Sequence, residues 1–547
     1  MLDTQKSFSA LSEEFVECLL RDHPVWATDA GIHDYDSTLP KDTPEGFRER
    51  AAWLRDLEQR LVASVPWKDL PAEQRVEYGL LRARISGMRA DVEEIRLQTR
   101  NAARFPETAL RGVHLLLQRS FAPLEERKEA ILARMMAVPE YLDGARANLV
   151  PAPIEIVERA AQMSGSGITF MEEVTHQLIR HFPGEAERIE HAGSLARRGF
   201  AQYQDFLRHE LAPRAAGSFA IGERWMNYKL EREHLLGMDA AALESFARDQ
   251  MARTRVRLEE EAKRVDAARG WREQLDEARR RHPEPLHILE AYAAEARRAE
   301  EFLAQKRIVP PAECRLEITD TPEFLRRTSP AASYLPPAPF DADPVGSLLV
   351  TPIELGLEPA LQQERLAAHH DAAITLRVAG ELRPGRHLQS GHAIRAGSRL
   401  RRIAGSPLFA DGWALYAIDL MWQEGFFPDA ATRLAHLRLQ LEATCRAVID
   451  MSLHAGRATP EQSAALLTEE AGLGPEAAQR AVLQAALQPG RAMAALIGRE
   501  LLLALREEAR RRMGARFNLH DFHAALLAGG TLPPALIREE IWSRLGV

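Results

Sequence analysis

The chain has 547 residues, 46% of them hydrophobic and 27% charged, with a formal net charge of −8. That much apolar side chain builds a large core and excludes a disordered chain. A charge so small for the length, with no basic arm or acidic tail, argues against nucleic acid and anionic membrane as partners.

The first seven residues lack the basic-then-apolar layout of a secretory signal. No run of about 18 apolar residues occurs; residues 494–505 come nearest, and Arg499 and Glu500 interrupt them. Cys18, Cys314 and Cys445 stand far apart, which suggests neither a metal knuckle nor a redox pair and suits a reducing compartment. The expectation is a cytoplasmic protein. Apolar periodicity predicts helices over residues 7–21, 44–63, 72–98, 124–147, 154–181, 186–211 and 240–269. In the last of these, Leu243, Phe246, Met251 and Val256 form the expected core face beneath a solvated charged face. Ser164-Gly165-Ser166-Gly167 reads as a turn or helix break. Near Ile308 the pattern changes. Val309-Pro310-Pro311 stops the helices, and residues 314–318 and Leu348-Leu349-Val350 read as short strands. Between them, residues 329–343 are rich in Pro and Ala, including Leu335-Pro336-Pro337, and read as an extended loop. Helices resume at Glu358 and run to the end. The expected division is a helical part over 1–308 and a second part over 309–547, together one compact unit.

The richest chemistry lies in Gly380-Glu381-Leu382-Arg383-Pro384-Gly385-Arg386-His387-Leu388-Gln389. Positions 380 and 386 are roughly 240° apart on a regular helix at ~100° per residue, so an unbroken helix turns them away from each other. Pro384 breaks the hydrogen-bond ladder and Gly385 permits a tight bend, which brings them back together. The stretch resembles the zinc motif His-Glu-x-x-Pro-Gly-His-His-Leu-Gln of the DUF885 family of zincin-like, peptidase-like bacterial proteins, with Gly380 and Arg386 at two histidine positions. Further segments match in order. Phe409-Ala410-Asp411-Gly412-Trp413-Ala414-Leu415-Tyr416 resembles Glu-Gly-Trp-Ala-x-Tyr, with Asp411 at the third ligand position. Residues 450–454 resemble a segment ending in Gly-Leu-His, at His454. Pro489-Gly490-Arg491-Ala492-Met493-Ala494-Ala495 resembles Pro-Gly-Gln-Ala-x-x-Tyr, with Ala495 where a Tyr would donate to an oxyanion. Residues 517–523 and Gly530-Thr531-Leu532-Pro533 match near the end, and His23-Pro24-Val25-Trp26-Ala27-Thr28 with Gly31 match the opening.

The resemblance implies a mainly α, zincin-like fold: a large helical protein with a small β-sheet edge beside the motif helix. In zincin-like folds such an edge strand binds extended peptide by main-chain pairing. A catalytic zinc needs three protein ligands and an open position for a water that a nearby Glu deprotonates. Gly380 offers no ligand, and Arg386 stays protonated without a lone pair. No metal or other cofactor is therefore expected. Glu381 and Asp411 without a cation would be costly to bury, so Arg386, helped by Arg383 or Arg491, is expected to supply the charge.

Each residue also has an ordinary reading. Glu381 pairs with an arginine, His387 is a structural neighbour, and His369, His370 and His392 are plain helix residues. Trp413 and Tyr416 are core, and His454 and His523 are satisfied buried histidines. No phosphate loop, dinucleotide fingerprint or Gly-x-Ser-x-Gly elbow is present. Three functions stay open. The first is a non-catalytic site for a peptide, a small carboxylate ligand or a partner, lined by Arg386, His387, Asp411, Trp413, Tyr416, His454 and Arg491. The second is a metal-independent enzyme using Glu381, His387, Asp411 and an arginine clamp. The third is a zinc peptidase with ligands relocated to His369, His370 or His392.

Overall fold

The computed structural model describes residues 2–322, 326, 330–354 and 356–547. Ser329, at the head of the expected Pro- and Ala-rich loop, lies outside the described residues. Helix accounts for 72% of the chain and strand for 3%, so the protein is mainly α with a small sheet. The chain forms two compact units, residues 1–219 with 340–342, and residues 220–339 with 343–547. The expected division at 308/309 falls inside the second unit, where helix gives way to sheet.

The first unit runs α1 (Leu2–Asp22), α2 (Pro24–Ala30), α3 (Pro44–Ser64), α4 (Ala72–Arg89), α5 (Leu97–Arg100), α6 (Arg104–Gln118), α7 (Leu124–Arg146), α8 (Ile154–His181) and α9 (Ala186–Phe206). The expected helix over 72–98 stops at Arg89, where a π-helical stretch Ala90–Glu94 follows. The break expected at Ser164–Gly167 does not occur, and α8 is continuous. A Cβ on Gly167 would lie 2.8 Å from the Phe200 ring of α9, so this glycine lets two helices approach instead of ending one. Inside the unit, the fully buried Arg134 donates to the Gly112 and Thr38 carbonyls at 2.6 and 3.1 Å and to Thr28 Oγ1 at 2.7 Å. That accounts for Thr28 in the opening segment: it completes the solvation of a buried charge.

The second unit runs α10 (Glu223–Tyr228), α11 (Ala240–Val265), α12 (Trp271–Ala278), α13 (Ile288–Lys306), β1 (Arg315–Asp320), β2 (Ala332–Leu335), β3 (Val345–Val350), α14 (Pro359–Ala367), α15 (Asp371–Arg377), α16 (Arg386–Ala393), α17 (Arg399–Ile403), α18 (Pro407–Gln423), α19 (Ala430–His454), α20 (Pro460–Glu469), α21 (Pro475–Leu487), α22 (Ala494–Met513), α23 (Leu519–Leu527) and α24 (Pro534–Leu545). The sheet order is β1-β3-β2. β1 pairs parallel with β3 from Arg315↔Val345, and β2 pairs antiparallel with it from Ala332↔Val350. β2 sits inside the segment read as loop; pairing with the apolar β3 makes a strand of four residues whose own pattern is too short to signal one.

On α11 the buried stripe is Leu243, Ala247, Thr254, Leu258 and Ala262, whereas Val256 is exposed. Val256 lies thirteen residues from Leu243, about 220° around the helix, so the face expected through Phe246 and Val256 was drawn off the true stripe. Ala247, Thr254 and Ala262 keep that stripe low beside Leu243 and Leu258, and α11 packs along α19.

α18 and α22 approach each other closely. A Cβ on Gly412 would lie 2.5 Å from the Gly498 backbone, and one on Gly498 would overlap the Leu408 carbonyl. Only two glycines allow the backbones to cross there. Gly498→Ala should therefore destabilise the protein by about 1–3 kcal/mol through overpacking, read from the urea midpoint. An unchanged midpoint would contradict the crossing.

Candidate functional site

The motif is bent by its own backbone. α15 runs into a π-helical turn over Val378–Leu382, the Arg383–Pro384 peptide is cis, and α16 starts at Arg386. A Cβ on Gly385 would overlap the Gly380 carbonyl, so no larger residue fits the bend. The indole of Trp413 then holds it: Nε1–H donates to the Pro384 carbonyl at 2.8 Å and the Gly385 carbonyl at 3.1 Å. The Gly385 carbonyl also accepts the Gln389 N–H of α16 at 3.1 Å, so the indole is its second donor.

The bend brings the charges together. Arg386 Nη2 lies 2.6 Å from Asp411 Oδ1, and its Nε lies 3.3 Å from Glu381 Oε2. The Nε contact is an ion pair without hydrogen-bond alignment. Arg491 Nη2 lies 2.9 and 3.2 Å from the two oxygens of Asp411. Asp411 is 12% exposed, Arg386 34%, Glu381 36% and Arg491 42%. Burial would lower the Arg386 pKa, but the Glu381 and Asp411 carboxylates outweigh it and raise it further. Arg383 does not join this group. It pairs with Glu300 and reaches the Cys314 carbonyl at 3.5 Å, so of the two helpers expected for Arg386 only Arg491 takes part.

Arg491 is aimed by a buried carboxylate. Asp450 accepts the backbone N–H groups of Gly490 and Met493, both at 2.9 Å, and so fixes the turn that carries Arg491. Burial raises the Asp450 pKa, with His454 and the backbone donors opposing. His454 is buried beside it, with Nε2 3.0 Å from the Ala485 carbonyl and 3.8 Å from Asp450.

The other expected lining residues belong to the frame. His387 is fully buried, with Nδ1 3.1 Å from the Tyr334 hydroxyl on β2 and Nε2 3.2 Å from the Cys314 carbonyl. Tyr416 is also fully buried. Its hydroxyl lies 2.7 Å from His523 Nε2, whose Nδ1 meets the Ile308 carbonyl at 2.6 Å. Trp413 stacks among Phe409, Tyr416 and His523. Gln389 donates to Thr531 Oγ1 at 2.8 Å, which ties the motif to the Gly530-Thr531-Leu532-Pro533 segment.

A zinc ion does not fit this donor set. Gly380 has no side chain, the guanidinium of Arg386 lies on the lone pairs a metal would need, and Asp411 is shared with a second arginine. The relocated ligands do not assemble. His369 lies between α14 and α15, buried against the Tyr292 hydroxyl at 3.3 Å, and His370 caps α15, so the pair is not on the motif helix. Among the described residues, no three His, Cys, Asp or Glu side chains converge to hold a metal.

A second charge group escaped the sequence reading. Asp419, two turns after Asp411 on α18, is buried and accepts from His436 Nε2 at 2.6 Å and also from Arg499 and Gln440. Arg433 Nη1 lies 2.9 Å from His436 Nδ1. Burial works against the Asp419 charge, yet Arg499 and His436 hold its carboxyl well below the usual range. Its one sequence signal is a lone acid within the apolar run Leu415-Tyr416-Ala417-Ile418-Asp419-Leu420-Met421.

Comparison with known proteins places the chain among uncharacterised relatives. The family described as "bacterial protein of unknown function (DUF885)" matches residues 24–541. No curated protein matches the chain. A solved structure from Shewanella oneidensis, described as a "putative lipoprotein of unknown function", is 22% identical with a TM-score of 0.79, covering 97% of this chain and 99% of that one. A second from Colwellia psychrerythraea, described as a "putative lipoprotein", is 16% identical with a TM-score of 0.85, covering 99% of each. Both share the fold. They also overturn the expected cytoplasmic address, since the description of both as lipoproteins points to a membrane-anchored or extracytoplasmic place. The unpaired Cys18, Cys314 and Cys445 suited a reducing compartment but do not require one.

Two predictions follow from this frame. Trp413→Phe keeps an aromatic ring and removes the donor, so the Pro384 carbonyl loses its side-chain partner while Gly385 keeps the Gln389 N–H; it should cost about 1–3 kcal/mol in chemical denaturation. Burial lowers the pKa of His369, His387 and His523 to about 4 from 6.5. These imidazoles are neutral when folded and take up protons on unfolding, so stability should fall as pH drops from 6.5 through 4. His33 acts the other way, and only at higher pH. Burial opposes its charge, but Asp341 and Asp36 raise its pKa to about 9, a contribution lost as pH rises from 6.5 through 9. Melting curves across this range should show the acid-side loss, with a shallower slope in His387→Gln.

Proposed function

The chain belongs to the DUF885 family, and we propose that this member is a catalytically degenerate, zincin-like pseudo-peptidase that binds a peptide or other carboxylate-bearing ligand through Arg386 and Arg491. One observation carries the reading: the guanidinium of Arg386 stands between Glu381 and Asp411, where a hydrolytic metal would need those lone pairs. The fixed positive charge stabilises the two acids without a metal, and it activates no water. Arg491 adds recognition. Its Nη2 is held by Asp411, and no described residue engages its Nε or Nη1, which leaves charged N–H donors on separate sides of the guanidinium from which a carboxylate can accept. The metal-independent enzyme is less well supported, because His387 is fully buried with both ring nitrogens occupied. The lipoprotein descriptions of the two fold relatives support placing this binding function outside the cytoplasm.

The test uses the whole protein. After incubation with zinc and dialysis, elemental analysis should find far less than one zinc per chain, and a peptide library followed by mass spectrometry should show no cleavage. Stoichiometric zinc, or cleavage abolished by Glu381→Gln, would defeat the proposal. Arg386→Met should cost about 1–3 kcal/mol of stability, less than the loss of a fully buried partner because a third of this side chain meets solvent. Thermal and urea denaturation measure it, and wild-type stability in this variant would remove the structural role of the charge.

A further inference from the structure

The four charged side chains form a row of alternating sign: Glu381, Arg386, Asp411, Arg491. Its members are not equally satisfied. The inner two each have two partners, Arg386 with Glu381 and Asp411, and Asp411 with Arg386 and Arg491. The outer two each have one. Glu381 meets only Arg386 Nε, at 3.3 Å without hydrogen-bond alignment, and its second oxygen Oε1 has no partner among the described residues. Arg491 meets only Asp411, through Nη2. These two ends are also the most exposed members, at 36% and 42%.

Two carboxylates and two guanidiniums sum to zero charge. Such a site offers no net attraction to an anion, but its free ends present a negative group at one side and a positive group at the other. The complement is a molecule carrying both charges in the opposite order. Resting on the reading of Arg386 and Arg491 as a carboxylate-binding pair, we infer that the ligand is a short zwitterionic peptide, its terminal ammonium on Glu381 and its terminal carboxylate on the free Nη1 of Arg491. The row also bounds the length. Its three ion-pair gaps are 3.3, 2.6 and 2.9 Å, and with the two groups between them the ends lie on the order of three extended residues apart. Free di- and tripeptides meet both ends at once. A longer extended peptide reaches only one.

The binding is bond-free, so the test is affinity. Thermal-shift titrations of the whole protein use an equimolar mixture of free dipeptides, the same mixture N-acetylated, and the same mixture C-amidated. The free mixture should stabilise the protein, and each capped mixture should need at least tenfold more peptide for the same shift. Glu381→Gln should abolish discrimination against the acetyl cap alone, and Arg491→Gln discrimination against the amide cap alone. Both side chains are partly exposed, and the melting temperature of each ligand-free variant checks that it folds. If the N-acetylated mixture binds as well as the free one, the zwitterion inference fails while the carboxylate site stands. If the amidated mixture binds as well, or no mixture shifts the melting temperature, both fail.

Discussion

The charge of Arg386 is held between two carboxylates that come from different places, Glu381 on the π-helical turn and Asp411 near the start of α18. Each acid would be expensive to desolvate alone, and the guanidinium makes their proximity favourable. The rest of the site serves that meeting. The bend at Pro384-Gly385 turns Arg386 back toward position 380, Trp413 donates to two carbonyls of the bend, and Asp450 fixes the turn that brings Arg491 to the far side of Asp411.

This division of labour sorts the residues of these segments by what each one bonds. Trp413, Tyr416, His523 and Gln389 satisfy backbone and buried polar groups, a need that the bend imposes whatever ion sits in front of it. Gly380 and Arg386 have no such duty: the first has no side chain and the second bonds the carboxylates in front of the bend. Asp419 makes a useful contrast. It gathers Arg499, His436 and Gln440 about one carboxylate inside the unit, with every charge enclosed. The chemistry resembles that around Asp411, but the Asp419 group braces helices, while the exposed ends of the Asp411 row face solvent.

The helices were the most legible part. Residues 44–63, 124–147 and 154–181 were read from apolar spacing to within a residue of their observed ends. Errors arose where a partner element overrides local signals. Gly165 and Gly167 signal a break in isolation but serve the contact with α9, and β2 exists only because β3 lies beside it. In the site, the pairing of Arg386 with Glu381 and Asp411 was expected from the cost of burying two acids without a positive partner. For His387 and His454 the sequence left a lining and a buried role both open, because a histidine in a motif looks the same whether it faces a ligand or a carbonyl.

By itself the sequence determined the helical class and the family resemblance, since both are properties of residue type and near spacing. Tertiary structure alone decided which arginine reaches Asp411 and which turns to Glu300, and which charges stay open to solvent. The reason is distance along the chain. Positions 381, 386, 411 and 491 meet only because α18 and α22 cross at Gly412 and Gly498 with their backbones in contact, and no local pattern encodes where two helices will cross.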